Sequence, residues 1–413
     1  MVLNYIWLGF FFVAFLVAIA KTLFWQDLSI FPAMTQALFD MAEAGASISL
    51  GYIGGMALWI GIMRVGEKGG AVAILARLLN PIFTHIFPEI PKGHPAQGSI
   101  VMNFSANLLG LDNAATPLGL KAMKELQELN PKKDTASNAQ IMFLVLNTSG
   151  LTIIPVSVMV LRKSMDAANP ADIFVPILIA TYCSSLVGLL VTSIAQRINL
   201  FKLAILFPLL LLTSLIAGGA VYFSSLSQTA MEGQSTLVAA LFIFTIIISF
   251  LALAFLKKVN VYEEFVEGAK EGFGVAIKII PFLVAMLVAV GVFRASGSMA
   301  ELTKGVGTVV RATGADDGWV EALPTALMKP LSGSGARGMA SEAMATHGAD
   351  SFVGRLACTF QGSTETTFFV LALYFGSVGI RKTRYAILAG LSADLAGVIA
   401  AITLAYCLPI FSA

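Results

Sequence analysis

Apolar residues in this chain fall into long blocks, and two of those blocks are broken midway by a short polar cluster. A helix needs about 20 apolar residues to cross the hydrocarbon core of a bilayer. On that measure the pattern predicts spans near residues 4–24, 46–64, 138–162, 172–196, 200–224, 235–257, 273–294, 350–378 and 383–408. The span at 138–162 is interrupted by Asn147-Thr148-Ser149-Gly150, and that at 350–378 by Gln361-Gly362-Ser363-Thr364-Glu365-Thr366. An unpaired polar group in hydrocarbon costs several kcal/mol, so such breaks are expected only where they are buried in protein or line a cavity. Paired interrupted helices in two halves of a chain point to a solute site near the bilayer midplane.

Four further segments are too polar or too short to be ordinary spans. Residues 70–87 and 299–312 are amphipathic and predict helices lying in the interface. Residues 97–128 are apolar at both ends, with Asn103, Asn107, Asp112, Asn113 and Pro117 between. Residues 324–346 carry Lys329, Pro330 and the run Ser332-Gly333-Ser334-Gly335. Each of these two reads as a re-entrant helical hairpin with a polar tip.

Taken together the segments recur in order: an arginine-terminated span (Arg64, Arg294), an interfacial helix, a hairpin, an interrupted span and a final span. With both hairpins re-entrant, an odd number of crossings separates the two sets, which predicts inverted repeats. The fold class expected is an all-α polytopic membrane protein, divided into halves at residues 1–199 and 200–413.

Composition agrees with that class. The chain of 413 residues is 57% hydrophobic and 12% charged, with a mean hydropathy of +0.84; soluble domains carry about 25% charged residues. A net charge of +2 makes no case for a nucleic-acid partner. Of the 26 Lys and Arg residues, sixteen fall on the face holding Arg64, Lys68, Lys132 and Lys382, and eight on the face holding Arg162, Lys163 and Arg294. Lys278 and Arg355 make up the remainder, inside expected spans. The positive-inside rule then places the N-terminus in the cytoplasm and the C-terminus outside. The first apolar run lacks a basic n-region and reads as a retained span. The expected setting is a cell membrane, and assembly as a homo-oligomer is compatible with it.

Candidate chemistry is sparse. Cys183, Cys358 and Cys407 stand singly, and His85, His94 and His347 lack ligand spacing, so no metal site is expected. No nucleophile, phosphate-loop or zinc-protease motif occurs, and no catalytic residue is assigned. Glu365 is the most informative residue, because a carboxylate within a span marks a function by default. It would bind solute or carry a coupling Na⁺ or H⁺; the alternative is a buried ion pair with Arg337 or Arg355. Asp394 in the last span has the same two readings. Asn103 and Asn107 share a helical face and suit a solute-lining role. Asp112 and Asn113 are expected at the first hairpin tip, where they also suit a plain turn. Ser332 and Ser334 at the second tip, and Asn147, Thr148, Ser149, Gln361, Ser363 and Thr364 at the breaks, complete the candidate solute-binding set. Gly45, Gly51, Gly54 and Gly55 are expected at helix contacts.

Several blocks carry a family resemblance. Leu58-Trp59-Ile60-Gly61, Gly93-His94-Pro95-Ala96, Ala106-Asn107-Leu108-Leu109-Gly110-Leu111 and Asn147-Thr148-Ser149 resemble the spore maturation protein A family. Gly268-Ala269-Lys270-Glu271-Gly272-Phe273, Lys329–Arg337 and Gln361–Thr366 resemble the spore maturation protein B family. The chain is thus similar to a fusion of the two, within the nucleoside-recognition or Gate group. The resemblance implies distant kinship with concentrative nucleoside transporters and with the membrane part of ferrous-iron permeases. It implies transport of a small polar solute, a nucleoside among the candidates. Two alternatives stay open: a non-transporting membrane factor in spore core dehydration or envelope physiology, and a metal-ion permease.

Overall fold

The computed structural model describes residues 2–110, 112–153 and 155–411. Side chains are not described at Val2, Leu3, Ser49, Tyr52, Asp112–Ala114, Gln228, Glu232, Lys278 and Ile279. The expected tip roles of Asp112 and Asn113 therefore lie outside the described residues, as does the placement of the Lys278 side chain.

Among the described residues the elements are helical throughout. The first half comprises α1 (Val2–Trp25), α2 (Ile30–Gly69), α3 (Ala71–Ile86), α4 (Pro95–Leu108), α5 (Asp112–Leu129), α6 (Asn138–Ser149), α7 (Val156–Ser164) and α8 (Phe174–Gln196). Two apolar helices follow, α9 (Leu203–Ser224) and α10 (Gln228–Leu256). After these come α11 (Val261–Ala295), α12 (Ser298–Ala312), α13 (Leu323–Met328), α14 (Gly333–His347), α15 (Phe352–Gly362), α16 (Thr367–Ser377) and α17 (Ala386–Cys407). Seven helices among the described residues are long and apolar enough to span a membrane.

Both expected interruptions are present as gaps between short helices: 150–155 between α6 and α7, and 363–366 between α15 and α16. The first gap begins later than its polar cluster. Asn147, Thr148 and Ser149 stay in the last turn of α6, and Gly150 ends the helix at φ +36°, a left-handed conformation that costs glycine least. Segments 97–128 and 324–346 are pairs of short helices, the second with unequal arms. Two spans are far longer than expected. The apolar block at 46–64 lies within the 40 residues of α2, and that at 273–294 within the 35 of α11. Their polar ends, such as Gln36, Asp40, Glu264 and Glu271, dilute hydropathy without breaking the helix.

Close approaches fix how these long helices run. Gly61 of α2 meets Phe265, Gly272 of α11 meets Met56, Gly45 meets Val284 and Gly291 meets Met41. One number falls as its partner rises, so α2 and α11 are antiparallel along their length. Small residues at each crossing let the backbones approach. Gly51 and Gly55 pack likewise on Ser164 and Val160 of α7; Gly54 faces open space. The same logic makes α8 and α17 antiparallel, since Gly188 meets Ala393 and Gly397 meets Ser184. α1 packs on α11, where the Trp7 indole donates to the Ala285 carbonyl at 3.0 Å.

Two pairs of loops close the ends of this bundle. At one end the segment before α6 meets the segment after α16: Arg381 and Lys382 N–H groups donate to the Asp134 carbonyl, each at 2.9 Å, and Ala136 N–H to that of Lys382 at 3.0 Å. There the Thr135 hydroxyl and the Lys382 ammonium hold the Asp134 carboxyl below the usual carboxylate range. At the other end the segment after α7 meets the segment before α15 through charges. Arg162, fully buried, pairs with Asp172 and Asp350, each at 2.8 Å, and Arg355 reaches Asp172 at 3.1 Å.

Removing one partner of a buried pair costs about 3–5 kcal/mol. Asp172→Asn should therefore lower the unfolding midpoint of detergent-solubilised protein sharply. Lys382→Ala, at the exposed end, should leave it near that of the unsubstituted chain.

Candidate functional site

The broken helices leave backbone groups without helical partners, and the positions of those groups define the site. α6 ends with carbonyls that no later turn can satisfy. The Thr148 carbonyl accepts the Glu365 N–H at 2.8 Å, and the Ser149 carbonyl accepts the Ser185 hydroxyl at 3.2 Å. The first of these bonds joins the two breaks directly. Each break is also tied to the hairpin preceding it. Ile153 N–H donates to the Leu108 carbonyl at the end of α4 (3.1 Å), and Phe368 N–H to the Pro330 carbonyl between α13 and α14 (3.0 Å).

Glycines on the long helices seat the breaks. Gly188 of α8 faces Val145 and Ser149, while Gly397 of α17 faces Ser363 and Thr364. Gly390 faces Thr367 and Thr148. A methyl group at Gly397 would lie 3.1 Å from the Thr364 methyl and 3.3 Å from the Ser363 hydroxyl, so these contacts leave little slack.

Beside the joined breaks is a cavity of about 160 Å³. Asn107 and Gly110 from the first hairpin line it, with Gly150, Thr152 and Pro155 from the first break. Lys329 from the second hairpin, and Gln361, Thr364 and Glu365 from the second break, face them. Trp59 and Met56 supply an apolar wall. Arg64, Glu67 and Glu271 stand at one end, and Arg64 is ion-paired there with Glu264 (2.7 Å) and with Glu271. The mixture of an apolar wall with a few convergent polar groups is the usual character of a small-molecule site.

Four of the candidate residues thus line the cavity: Asn107, Gln361, Thr364 and Glu365. Glu365 is exposed to it, and no ion pair links it to Arg337 or Arg355 among the described residues. Arg355 is committed to Asp172 instead, which corrects the buried ion-pair alternative. Gln361 is buried, and its Oε1 has no hydrogen-bond partner. A buried acceptor left open is costly, about 1–3 kcal/mol, and calls for an explanation such as a bound group.

Other candidates act behind the cavity. Asn147 Oδ1 accepts from Asn107 Nδ2 at 2.8 Å and so orients it, while Asn147 Nδ2 donates to the Phe143 carbonyl at 2.8 Å. Asn103 is fully buried and donates to the Ala115 carbonyl at 2.8 Å, bracing the hairpin rather than facing the cavity. Ser332 caps α14 through the Gly335 N–H at 3.0 Å, and Ser334 lies beside it. Ser363 bonds back to the Phe360 carbonyl at 3.0 Å. Thr148, Ser149 and Asp394 are buried against the breaks, outside the cavity lining.

Sequence reasoning missed Lys329 as a lining residue, although it stands beside the proline of the second polar tip. It also missed Arg64, Glu67 and Glu271. Their signal is charge at the ends of two long helices, which is ordinarily read as interface anchoring. No group of three or more His, Cys, Asp or Glu suited to a metal occurs among the described residues.

Fold and site together define an all-α, multi-pass membrane protein with a polar site between two broken helices. A family model described as nucleoside recognition (Gate) matches residues 50–165 and 276–381, once in each half. The chain belongs to that nucleoside-recognition (Gate) family. It is 38% identical over 158 residues to spore maturation protein A of Bacillus subtilis (strain 168), covering 38% of this chain and 81% of that protein. It is 48% identical over 157 residues to spore maturation protein B of the same organism, covering 38% of this chain and 86% of that protein. The two matches are consistent with a fusion. No solved structure matches.

If the open Gln361 acceptor is kept for a ligand, removing it relieves the fold. Gln361→Leu should unfold at the same temperature as the unsubstituted chain or higher, while losing ligand-induced stabilisation. A lowered midpoint would instead assign Gln361 to the fold.

Proposed function

We propose that this protein is a secondary transporter that moves a small polar solute by alternating access, coupled to Na⁺ or H⁺. The observation that carries this reading is the junction of the two breaks, with a cavity beside it lined by polar residues from both breaks and both hairpins. Polar residues at that junction would hold solute, Glu365 and Gln361 foremost. The Arg162–Asp172–Arg355–Asp350 cluster would close the opposite side.

Inverted repeats would suit such a mechanism. Antiparallel pairing of α2 with α11 and of α8 with α17 is what a pseudo-two-fold axis in the membrane plane produces. So are the paired loop contacts, one at each end, and the matching bonds from each break to its own hairpin. The hairpins are read as re-entrant on the same grounds, and the halves as residues 1–199 and 200–413. In a bacterial inner membrane with the N-terminus in the cytoplasm, the Arg64 end of the cavity faces the cytoplasm. A nucleoside is the first solute to try, given the family's description. A second reading, a non-transporting factor in spore physiology, is favoured by the names of the two relatives alone.

Uptake of labelled nucleosides, amino acids and dipeptides into proteoliposomes, under imposed Na⁺ or H⁺ gradients, tests the proposal. One solute should accumulate. A hydrogen bond to a charged group contributes about 1.5–3 kcal/mol, so Glu365→Gln should weaken apparent affinity roughly tenfold or more. Intact protein that moves none of them under either gradient would count for the second reading.

A further inference from the structure

At the end of the bundle around Asp134, the pairing of the loops also gathers cations from three segments. Lys132 and Lys133 lead into α6, Arg381, Lys382 and Arg384 lie between α16 and α17, and Arg197 follows α8. All six are exposed. Hydrogen bonds hold the segments together. Besides the bonds to the Asp134 carbonyl, Arg384 Nη1 donates to the Ala136 carbonyl at 3.0 Å. Asn138, the first residue of α6, accepts Gln196 Nε2 on its carbonyl (2.8 Å) and the Tyr385 hydroxyl on its Oδ1 (3.2 Å). Those two bonds bring the end of α8 and the start of α17 to the same place.

The fold neutralises only part of this charge. Lys382 is ion-paired with Asp134 at 3.0 Å. The Lys133 ammonium donates to the Gln127 and Glu128 carbonyls, and the Arg384 guanidinium lies over the Tyr385 ring, contacts that leave both charges uncompensated. Two further carboxylates stand nearby: Glu89, which accepts Asn138 Nδ2 at 2.6 Å, and Glu128. Among the described residues, six cations thus meet three carboxylates.

An anion is the natural partner of such a surface, and its place in the fold says which kind. α8 ends here and α17 begins here, and both are long and apolar enough to span a membrane. The cations therefore stand where lipid headgroups lie. Bare apolar side chains adjoin them: Ile194, one turn before Arg197, is 76% exposed, and Leu388, one turn after Arg384, is 71% exposed. Cations beside exposed hydrocarbon suit an amphiphile with an anionic head. Free phosphate would use the cations alone.

We propose that this face binds an anionic phospholipid, with its headgroup among Lys132, Arg381 and Arg197 and its chains along the apolar surface of α8 and α17. Because those cations come from segments that pair across the fold, a bound lipid ties together the loops that close this end. The site lies apart from the solute cavity and stands whether or not the protein transports.

The test is thermal unfolding of the full chain in dodecyl maltoside, with phosphatidylglycerol, phosphatidylcholine of the same chains, or inorganic phosphate added. Phosphatidylglycerol should raise the midpoint saturably, and the other two should not. The rise should shrink as NaCl screens the charges. Lys132→Gln, Arg197→Gln and Arg381→Gln together should raise the half-saturating lipid concentration roughly tenfold or more. Lys163→Gln with Lys304→Gln, exposed and outside this patch, should leave it unchanged. Should the triple variant fail to fold, Arg381→Gln alone carries the comparison. An equal rise with phosphatidylcholine, an equal rise with inorganic phosphate, or a phosphatidylglycerol response that the variants keep in full would overturn the proposal.

Discussion

One backbone hydrogen bond, from the Glu365 N–H to the Thr148 carbonyl, joins the two places where this chain stops being helical inside an apolar environment. In hydrocarbon a backbone group must find its partner within the protein. A single broken helix has loose donors and acceptors that its own turns cannot reach. Here one break supplies the acceptor and the other the donor, so neither half of the chain can complete its broken helix alone. The hairpin bonds at Leu108 and Pro330 repeat the principle on each side. Those three contacts place the cavity-lining polar residues of the breaks and hairpins, and the α2–α11 crossing places Arg64, Glu67 and Glu271.

That dependence explains the packing around the junction. Gly188, Gly390 and Gly397 keep α8 and α17 close enough to press on the breaks, and the antiparallel crossing of those helices presents the glycines to both breaks. At the ends of the bundle the loops are paired differently, by backbone contacts around Asp134 and by buried arginine pairs around Arg162. A buried ion pair is poor at raising stability but sensitive to the loss of either partner.

Much of this was legible in the sequence because the bilayer makes hydropathy a strong constraint. The interruptions, the hairpin segments and the last spans are all where apolar blocks and polar clusters place them. The lengths of α2 and α11 were not legible, since Gln36, Asp40, Glu264 and Glu271 resemble span termini when each window is read alone. Within the site, Glu365 and Gln361 announced themselves as polar residues in apolar surroundings. Asn103 looked equivalent to Asn107, four residues on along the same helix, yet it braces the hairpin through the Ala115 carbonyl. Nothing in a sequence says which of two amides on one face meets backbone and which meets space. Lys329 and Arg64 were hidden for the converse reason: a cation near the end of an apolar segment is ordinary, and only the tertiary fold brings these two to a cavity.

Solute held in the space between the joined breaks would shield the residues that line it. Thr152 lines that space without bonding to either break's partner. In a background with Cys183, Cys358 and Cys407 replaced, the most direct measurement is the alkylation rate of Thr152→Cys by a polar maleimide, with and without the transported solute. Reaction is expected in the free protein, with marked slowing at saturating solute. An unchanged rate under conditions where uptake proceeds would contradict it.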